Sequence, residues 1–154
     1  MIRKAALLLA GLLTCGCAAA PQESGQAVLI KGRILFRDPD EQQPKWDCPK
    51  STNPETETIC LRYPNAYTTD VRDVLIGRHV PRRLHVILWI HSDPPEDIDL
   101  YFAGTRQPSG EIEAFSWGEL KYVGCDLADG AERLHVVEEV KAFQQANKLS
   151  CLGS

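Results

Sequence analysis

The cysteines are the residues whose type and spacing offer the clearest chemistry. Of six in the chain, four (Cys48, Cys60, Cys125 and Cys151) lie in its body. An even number of cysteines in an exported chain predicts two disulfides, for which three pairings are open. A Cys48–Cys60 bond would close a short loop, and a Cys125–Cys151 bond would staple the C-terminal segment to the body. A zinc site is disfavoured, because no Cys-x-x-Cys pair is present.

Three histidines, His79, His85 and His91, could suggest a metal site. His85 and His91 share one face of a predicted strand, but their spacing puts them about 20 Å apart at the rise of a strand. We therefore interpret them as surface or interface residues and predict no metal. The sequence contains no nucleophile elbow, His-Glu-x-x-His, Walker or dinucleotide-binding glycine motif. It thus predicts no cofactor and no enzymatic activity, and an enzyme whose site assembles from distant positions is the alternative.

The N-terminus is typical of a bacterial export signal. Arg3 and Lys4 precede an apolar run at 5–13, and mostly small residues follow it. The apolar run is too short to cross a bilayer, which takes about 20 residues. The predicted organisation is a signal peptide at 1–16, a flexible tether at 17–26 and a single domain at 27–154.

The segment before Cys17 resembles the lipobox of bacterial lipoproteins, in which Leu, a small residue, and Gly or Ala precede a lipidated Cys. Cys15 and Gly16 fit this motif, although Thr14 stands where Leu is usual. Cys15 is the second choice for lipidation, because Thr14 fits poorly directly before the modified residue. The resemblance implies a lipid anchor on Cys17. Ordinary secretion after cleavage behind Ala19 is the alternative.

Charge narrows the range of partners. The formal net charge is −4, and an acidic chain is a poor nucleic-acid binder because that affinity rests on neutralising phosphates. We expect a lipid anchor in the membrane and a protein or envelope partner. Ala18 follows the lipidated Cys, where Asp commonly retains bacterial lipoproteins in the inner membrane. We therefore expect the outer membrane, facing the periplasm, with a periplasmic or secreted location as the alternative.

Alternating and branched apolar residues predict a mainly β domain. The segment 83–91 has the strongest strand pattern, and Gly32 marks a bulge or tight bend in the first strand. The other strands are predicted at 27–36, 59–63, 67–76, 98–103 and 111–121. Residues 37–58 form an irregular excursion rich in proline. A helix is predicted at 131–148, with Asp129 as its N-cap.

These elements suit a small closed barrel, and their arrangement resembles the OB-fold of the netrin-type domain, the family of the tissue inhibitors of metalloproteinases. The resemblance is carried by the Cys-Gly-Cys start at 15–17, the strand at 27–36, and the Val-Leu-Ile-Gly segment at 74–77 before the strand at 83–91. It implies a mainly β fold, a small OB-like (netrin-type) β-barrel with a C-terminal α-helix; a β-sandwich is the alternative. In that family the N-terminal Cys binds a protease zinc through its free amine and carbonyl. Lipidation of Cys17 would prevent this.

The predicted function is that of a non-enzymatic envelope lipoprotein, a disulfide-stapled β domain that binds an unidentified protein or envelope component. A secreted metalloprotease-inhibitor-like protein and an envelope enzyme without a recognisable motif are the alternatives. Trp46, beside Cys48 in the polar excursion, is the best candidate for an exposed aromatic residue on a partner surface. Trp89 is expected in the core or on a sheet face.

Overall fold

Strands make up most of the regular secondary structure in the described residues. The computed structural model describes residues 25–49 and 60–151. Its elements are β1 (Gln26–Arg37), β2 (Tyr63–Ile76), β3 (Arg83–Ile90), β4 (Asp99–Arg106), β5 (Ile112–Gly118), α1 (Leu120–Gly130) and α2 (Val137–Asn147). The predicted signal peptide, both candidate lipidation sites (Cys17 and Cys15) and nearly all of the tether lie outside the described residues.

The five strands close into one barrel in the order β1-β2-β3-β5-β4. Neighbouring strands are antiparallel except β3 and β5, which run parallel. A closed five-stranded barrel followed by helices confirms the predicted mainly β, OB-like fold. The β-sandwich alternative is wrong, because the strands form a single closed sheet.

Alternating apolar residues fill the inside of the barrel. In β3 the even-numbered residues 84–90 are buried, whereas the odd-numbered residues 85–89 are only half-buried on the outer face. This alternation is the pattern expected of a strand with one face in a core. The interior cluster is completed by Val28, Ile30, Ile34, Tyr67, Val71, Leu100, Phe102, Ile112 and Ala114.

A second core lies outside the barrel, beneath the two helices. Leu29 of β1 and Ala103 of β4 are fully buried there. The helices contribute the buried side chains Val123, Leu127, Val140 and Phe143. Because this part of β1 is covered on both faces, the sequence Ala27–Ile30 is apolar without alternation.

The C-terminal region differs from the single helix predicted at 131–148. β5 ends at Gly118 and α1 begins at Leu120, so Asp129 lies inside α1 and is not an N-cap. The chain then leaves helical geometry at His135, whose φ of 56° is left-handed, before α2 begins. The predicted C-terminal helix is confirmed as the shorter α2, whereas its start at Asp129 was wrong and α1 was not predicted.

Within the sheet, the predicted bulge is confirmed and one strand boundary is corrected. The pairing of β1 with β2 shifts register between Lys31 and Gly32, as expected of a bulge at this glycine. β2 runs unbroken from Tyr63 to Ile76, where the sequence predicts two strands. The predicted gap at 64–66 contains Pro64 and Asn65, which are residue types typical of turns.

The two predicted disulfides are confirmed, and the structure gives their pairing. Cys48 bonds to Cys60, and Cys125 bonds to Cys151. The first bond holds the excursion close to the start of β2. The second ties α1 to the residues that follow α2, and it closes readily because α2 is short and folds back beside α1.

Candidate functional site

The first part of the excursion, residues 38–49, lies against β2 and is called the strap below. The Asp38 backbone N–H donates to the Ala66 carbonyl oxygen at 2.9 Å. The Gln43 side-chain amide accepts from the Ala66 N–H at 2.7 Å and donates to the Asp38 carbonyl oxygen at 2.6 Å. Because a side chain completes these backbone bonds, the strap is fixed to the sheet without being a strand.

The Asp38 carboxylate is the buried anchor of the strap. Its side chain accepts hydrogen bonds from the Thr68 hydroxyl and from His85 Nδ1, both at 2.6 Å. Thr68 and His85 are cross-strand neighbours on β2 and β3, so one carboxylate reaches both. Sequence reasoning missed this group, because 47 residues separate Asp38 from His85 and no motif connects them.

We expect Asp38→Ala to lower the free energy of unfolding by about 2 kcal/mol, because the buried Thr68 hydroxyl loses its acceptor. The strap should also loosen, which would change the near-ultraviolet circular dichroism of Trp46. Urea denaturation and this spectrum measure the two effects. The matched control is Asp40→Ala, which removes only an exposed ion pair with Arg37 and should change stability by less than about 1 kcal/mol. Equal losses in the two variants would contradict the anchoring role.

Trp46, the predicted partner residue, is packed into an aromatic cluster. Its ring meets the rings of Tyr63 and Trp89 edge-to-face, with centroids 5.7 Å apart in both pairs. The Trp89 indole N–H donates to a Glu113 carboxylate oxygen at 2.9 Å. Trp46 is thus half-buried, and its position is set by the strap and by the Cys48–Cys60 bond that follows it.

Beside this cluster, an open cleft of about 440 Å³ separates the ends of β3 and β5. It is lined by Arg62, Trp89, Ile90, His91, Ser92, Ala114, Phe115, Ser116 and Trp117, which together are called the aromatic cleft. The parallel pairing of the two strands covers only Val86–Leu88 and Ile112–Ala114. Immediately after it, Phe115 bulges out of the β4–β5 register. The cleft therefore lies where β3 and β5 cease to pair with each other.

The described lining of the aromatic cleft combines aromatic rings with the guanidinium group of Arg62. Phe115 is 43 % exposed, and Trp89 and Trp117 are half-buried. Arg62 forms no ion pair with any other residue in the described ranges. Among the described residues that line the cleft there is no carboxylate, although the whole chain has more acidic than basic residues. Such a lining suits a ligand with an apolar body and a negative charge.

A smaller pocket of about 210 Å³ adjoins the aromatic cleft and shares His91 with it. At this pocket the Tyr67 phenol donates to the Asp93 carboxylate at 2.5 Å. The Tyr67 side chain is buried in the barrel, and this burial raises the pKa of the phenol well above its ordinary value. The hydrogen bond to Asp93 raises the pKa further.

The raised pKa predicts a loss of stability in alkali. Below about pH 10 the Tyr67 phenol is protonated in both the folded and the unfolded chain. Above that pH the unfolded chain releases the proton while the folded chain keeps it, so the free energy of unfolding falls by about 1 kcal/mol between pH 10 and 11. Tyr67→Phe should remove this part of the decline in urea denaturation. Tyr122→Phe, at an exposed tyrosine, should retain it, and a decline unchanged in Tyr67→Phe would contradict the assignment.

The three histidines that suggested a metal row are not brought together. His85 bonds to Asp38, His91 lines the aromatic cleft, and His79 is exposed beyond the end of β2. Across residues 25–49 and 60–151, no cluster of His, Cys, Asp and Glu could hold a metal ion. Each histidine therefore has its own surroundings.

The aromatic cleft lies at the end of the barrel opposite the start of β1. Gln26 pairs with Arg106 at one end, whereas Tyr63 pairs with Ile90 at the other. β1 spans 12 residues between these ends, which is about 40 Å along the strand. The chain therefore enters the barrel far from the cleft.

Comparison with protein-family models, with curated proteins and with solved structures gave no match. In the part of the chain that the structure describes, no helix has the length and apolar character needed to cross a membrane. The geometry of the aromatic cleft is thus the main observation that bears on function.

Proposed function

We propose that this protein is a non-enzymatic envelope lipoprotein, anchored by lipid on Cys17, whose β-barrel binds an envelope component in the aromatic cleft. The export signal and the lipobox-like residues support the anchor. The two disulfides suit an oxidising compartment outside the cytoplasm. The ring-lined cleft, whose described lining contains no carboxylate, supports ligand binding.

The position of the cleft relative to the tether carries the proposal. A chain anchored at Cys17 reaches Gly25 over at most about 28 Å, which keeps the start of β1 near the membrane. The aromatic cleft lies at the end of the barrel opposite this attachment point. A ligand in the periplasm could therefore reach Phe115 and His91 without approaching the lipid surface.

The anchor is tested by the intact mass of the mature protein from membrane and soluble fractions, with and without reductant. A diacylated or triacylated mass that begins at Cys17 and gains four hydrogens on reduction is expected. Cys17→Ser should abolish the lipid mass, whereas Cys15→Ser should retain it. An unlipidated mass that begins at Cys15 and gains six hydrogens would overturn the anchor and favour the metalloprotease-inhibitor alternative.

The ligand site is tested by photocrosslinking in intact cells, with a photoreactive phenylalanine analogue in place of single aromatic residues. Placed at Phe115, the analogue should form discrete crosslinked products. The matched control is Tyr122 on α1, an exposed aromatic residue that does not line the cleft. Crosslinking that is absent at Phe115, or equal at both positions, would overturn the assignment of the cleft as the binding site.

A further inference from the structure

We propose that the ligand of the aromatic cleft is an extended peptide segment that carries an acidic residue. It pairs with the open edges of β3 and β5 as an additional strand. This inference rests on the proposed function, because it takes the cleft to be the binding site. It goes further by naming the chemical class of the ligand and its mode of binding.

The first argument is the open backbone at the cleft. β3 continues through Ile90 and β5 continues through Gly118, but their mutual register ends at Leu88 and Ala114. On their other sides both strands stay paired, with β2 and β4 respectively. Two strand edges in extended geometry therefore face the cleft. Unpaired strand edges bind extended chains through main-chain hydrogen bonds.

The second argument is the length of the open edges. Trp89–His91 and Phe115–Trp117 lie just past the last paired residues and line the cleft. The open edge Phe115–Trp117 of β5 covers three residues, about 10 Å at the rise of a strand, whereas β3 ends at Ile90 and offers two. A segment of three to five residues would fill this length, and alternate side chains would point toward the surrounding rings.

The third argument is charge. Arg62, which is free of ion pairs with the described residues, places a cationic group in a cleft whose described lining contains no carboxylate. An acidic side chain on the bound peptide would pair with Arg62. A neutral sugar is favoured less, because Trp89 is already packed against Trp46 and its indole N–H is bonded to Glu113.

The test uses tryptophan fluorescence to measure the binding of short peptides to the mature protein in detergent. The probe is the acetylated, amidated peptide Thr-Val-Glu-Val-Thr. We expect a dissociation constant near the millimolar range, since so short a segment buries little surface. Replacing Glu by Lys, or methylating the internal amide nitrogens, should weaken binding at least tenfold. Hydrogen exchange at 89–91 and 115–117 should slow when the probe binds.

Protein variants test the pairing of charges. Arg62→Gln should lower the affinity for the Glu peptide about tenfold, whereas the affinity for the analogue with Gln in place of Glu should not change. Arg78→Gln is the matched control, because Arg78 lies at the opposite end of the barrel, just past β2. It should leave both affinities as they are.

Two results would overturn the inference. One is that the methylated peptide binds as tightly as the parent, which excludes main-chain pairing. The other is that no peptide binds at millimolar concentration while a neutral N-acetylglucosamine oligosaccharide either binds in its place or does not bind. In these cases, crosslinking at Phe115 would still support the cleft as the ligand site, and only the peptide inference would fail. If the analogue at Phe115 forms no crosslinked product, the proposed function itself is overturned.

Discussion

The Gly104→Ala variant is expected to lose about 3 kcal/mol or more of its free energy of unfolding, a large share of the stability of a small domain. An added Cβ at Gly104 would lie 2.3 Å from the Glu113 carbonyl oxygen and 2.8 Å from the Ala114 Cα. Both atoms belong to the backbone of β5, so no change of rotamer can relieve the contact. β4 and β5 would have to separate next to the bulge at Phe115.

Urea denaturation followed by tryptophan fluorescence measures this loss as a lower midpoint at a similar slope. Gly110→Ala is the matched control. Gly110 has a φ of 93° but no atom within 4 Å of an added Cβ, so its substitution tests backbone strain alone. That strain lowers the free energy of unfolding by about 1 to 3 kcal/mol. If Gly110→Ala proves as destabilising as Gly104→Ala, the close approach of β4 and β5 is not what requires a glycine at 104.

The second large effect is expected from the double variant Cys125→Ala/Cys151→Ala. The disulfide links residues 26 apart in sequence, and the chain-entropy relation gives a stabilisation of about 3.5 kcal/mol for a loop of this size. Only two side chains of α2, Val140 and Phe143, are buried against the rest of the molecule. Without the disulfide, we expect α2 to detach before the barrel unfolds.

Hydrogen exchange of the α2 amides, measured beside those of β3, tests this order of events. The α2 amides should lose most of their protection in the double variant, while the β3 amides lose less. The comparison variant is Cys48→Ala/Cys60→Ala, whose disulfide spans 12 residues and is worth about 3 kcal/mol by the same relation. That variant should leave α2 protected. Unchanged protection of α2 after removal of Cys125 and Cys151 would refute the proposed role of the staple.

The errors in the helical region have a local physical cause. The strand predicted at 111–121 ran into α1, because the apolar residues around Leu120 and Val123 suit a strand as well as a helix. The predicted start at Asp129 relied on a capping pattern that lies within α1. The break between the helices lies at His135, whose left-handed conformation is uncommon for a residue other than glycine.

The candidate site was only partly accessible from the sequence. Trp46 was identified as an aromatic residue of the excursion, but its contacts with Tyr63 and Trp89 depend on the path of the strap across β2 and β3. Phe115 and Arg62 carried no motif. The parting of β3 from β5 that brings them together results from a parallel pairing between strands that are not consecutive, and local patterns do not encode such a pairing.

By itself, the sequence determined the mainly β class, the strong β3 strand, the bulge at Gly32 and the oxidation of four cysteines. Each of these follows from local alternation, from the conformational freedom of glycine or from residue counts. Only the tertiary structure decided the disulfide partners, the buried Asp38–His85 contact, the division of the helical region and the aromatic cleft. These depend on contacts between residues far apart in sequence, whose geometry is set when the barrel closes and both of its faces are packed.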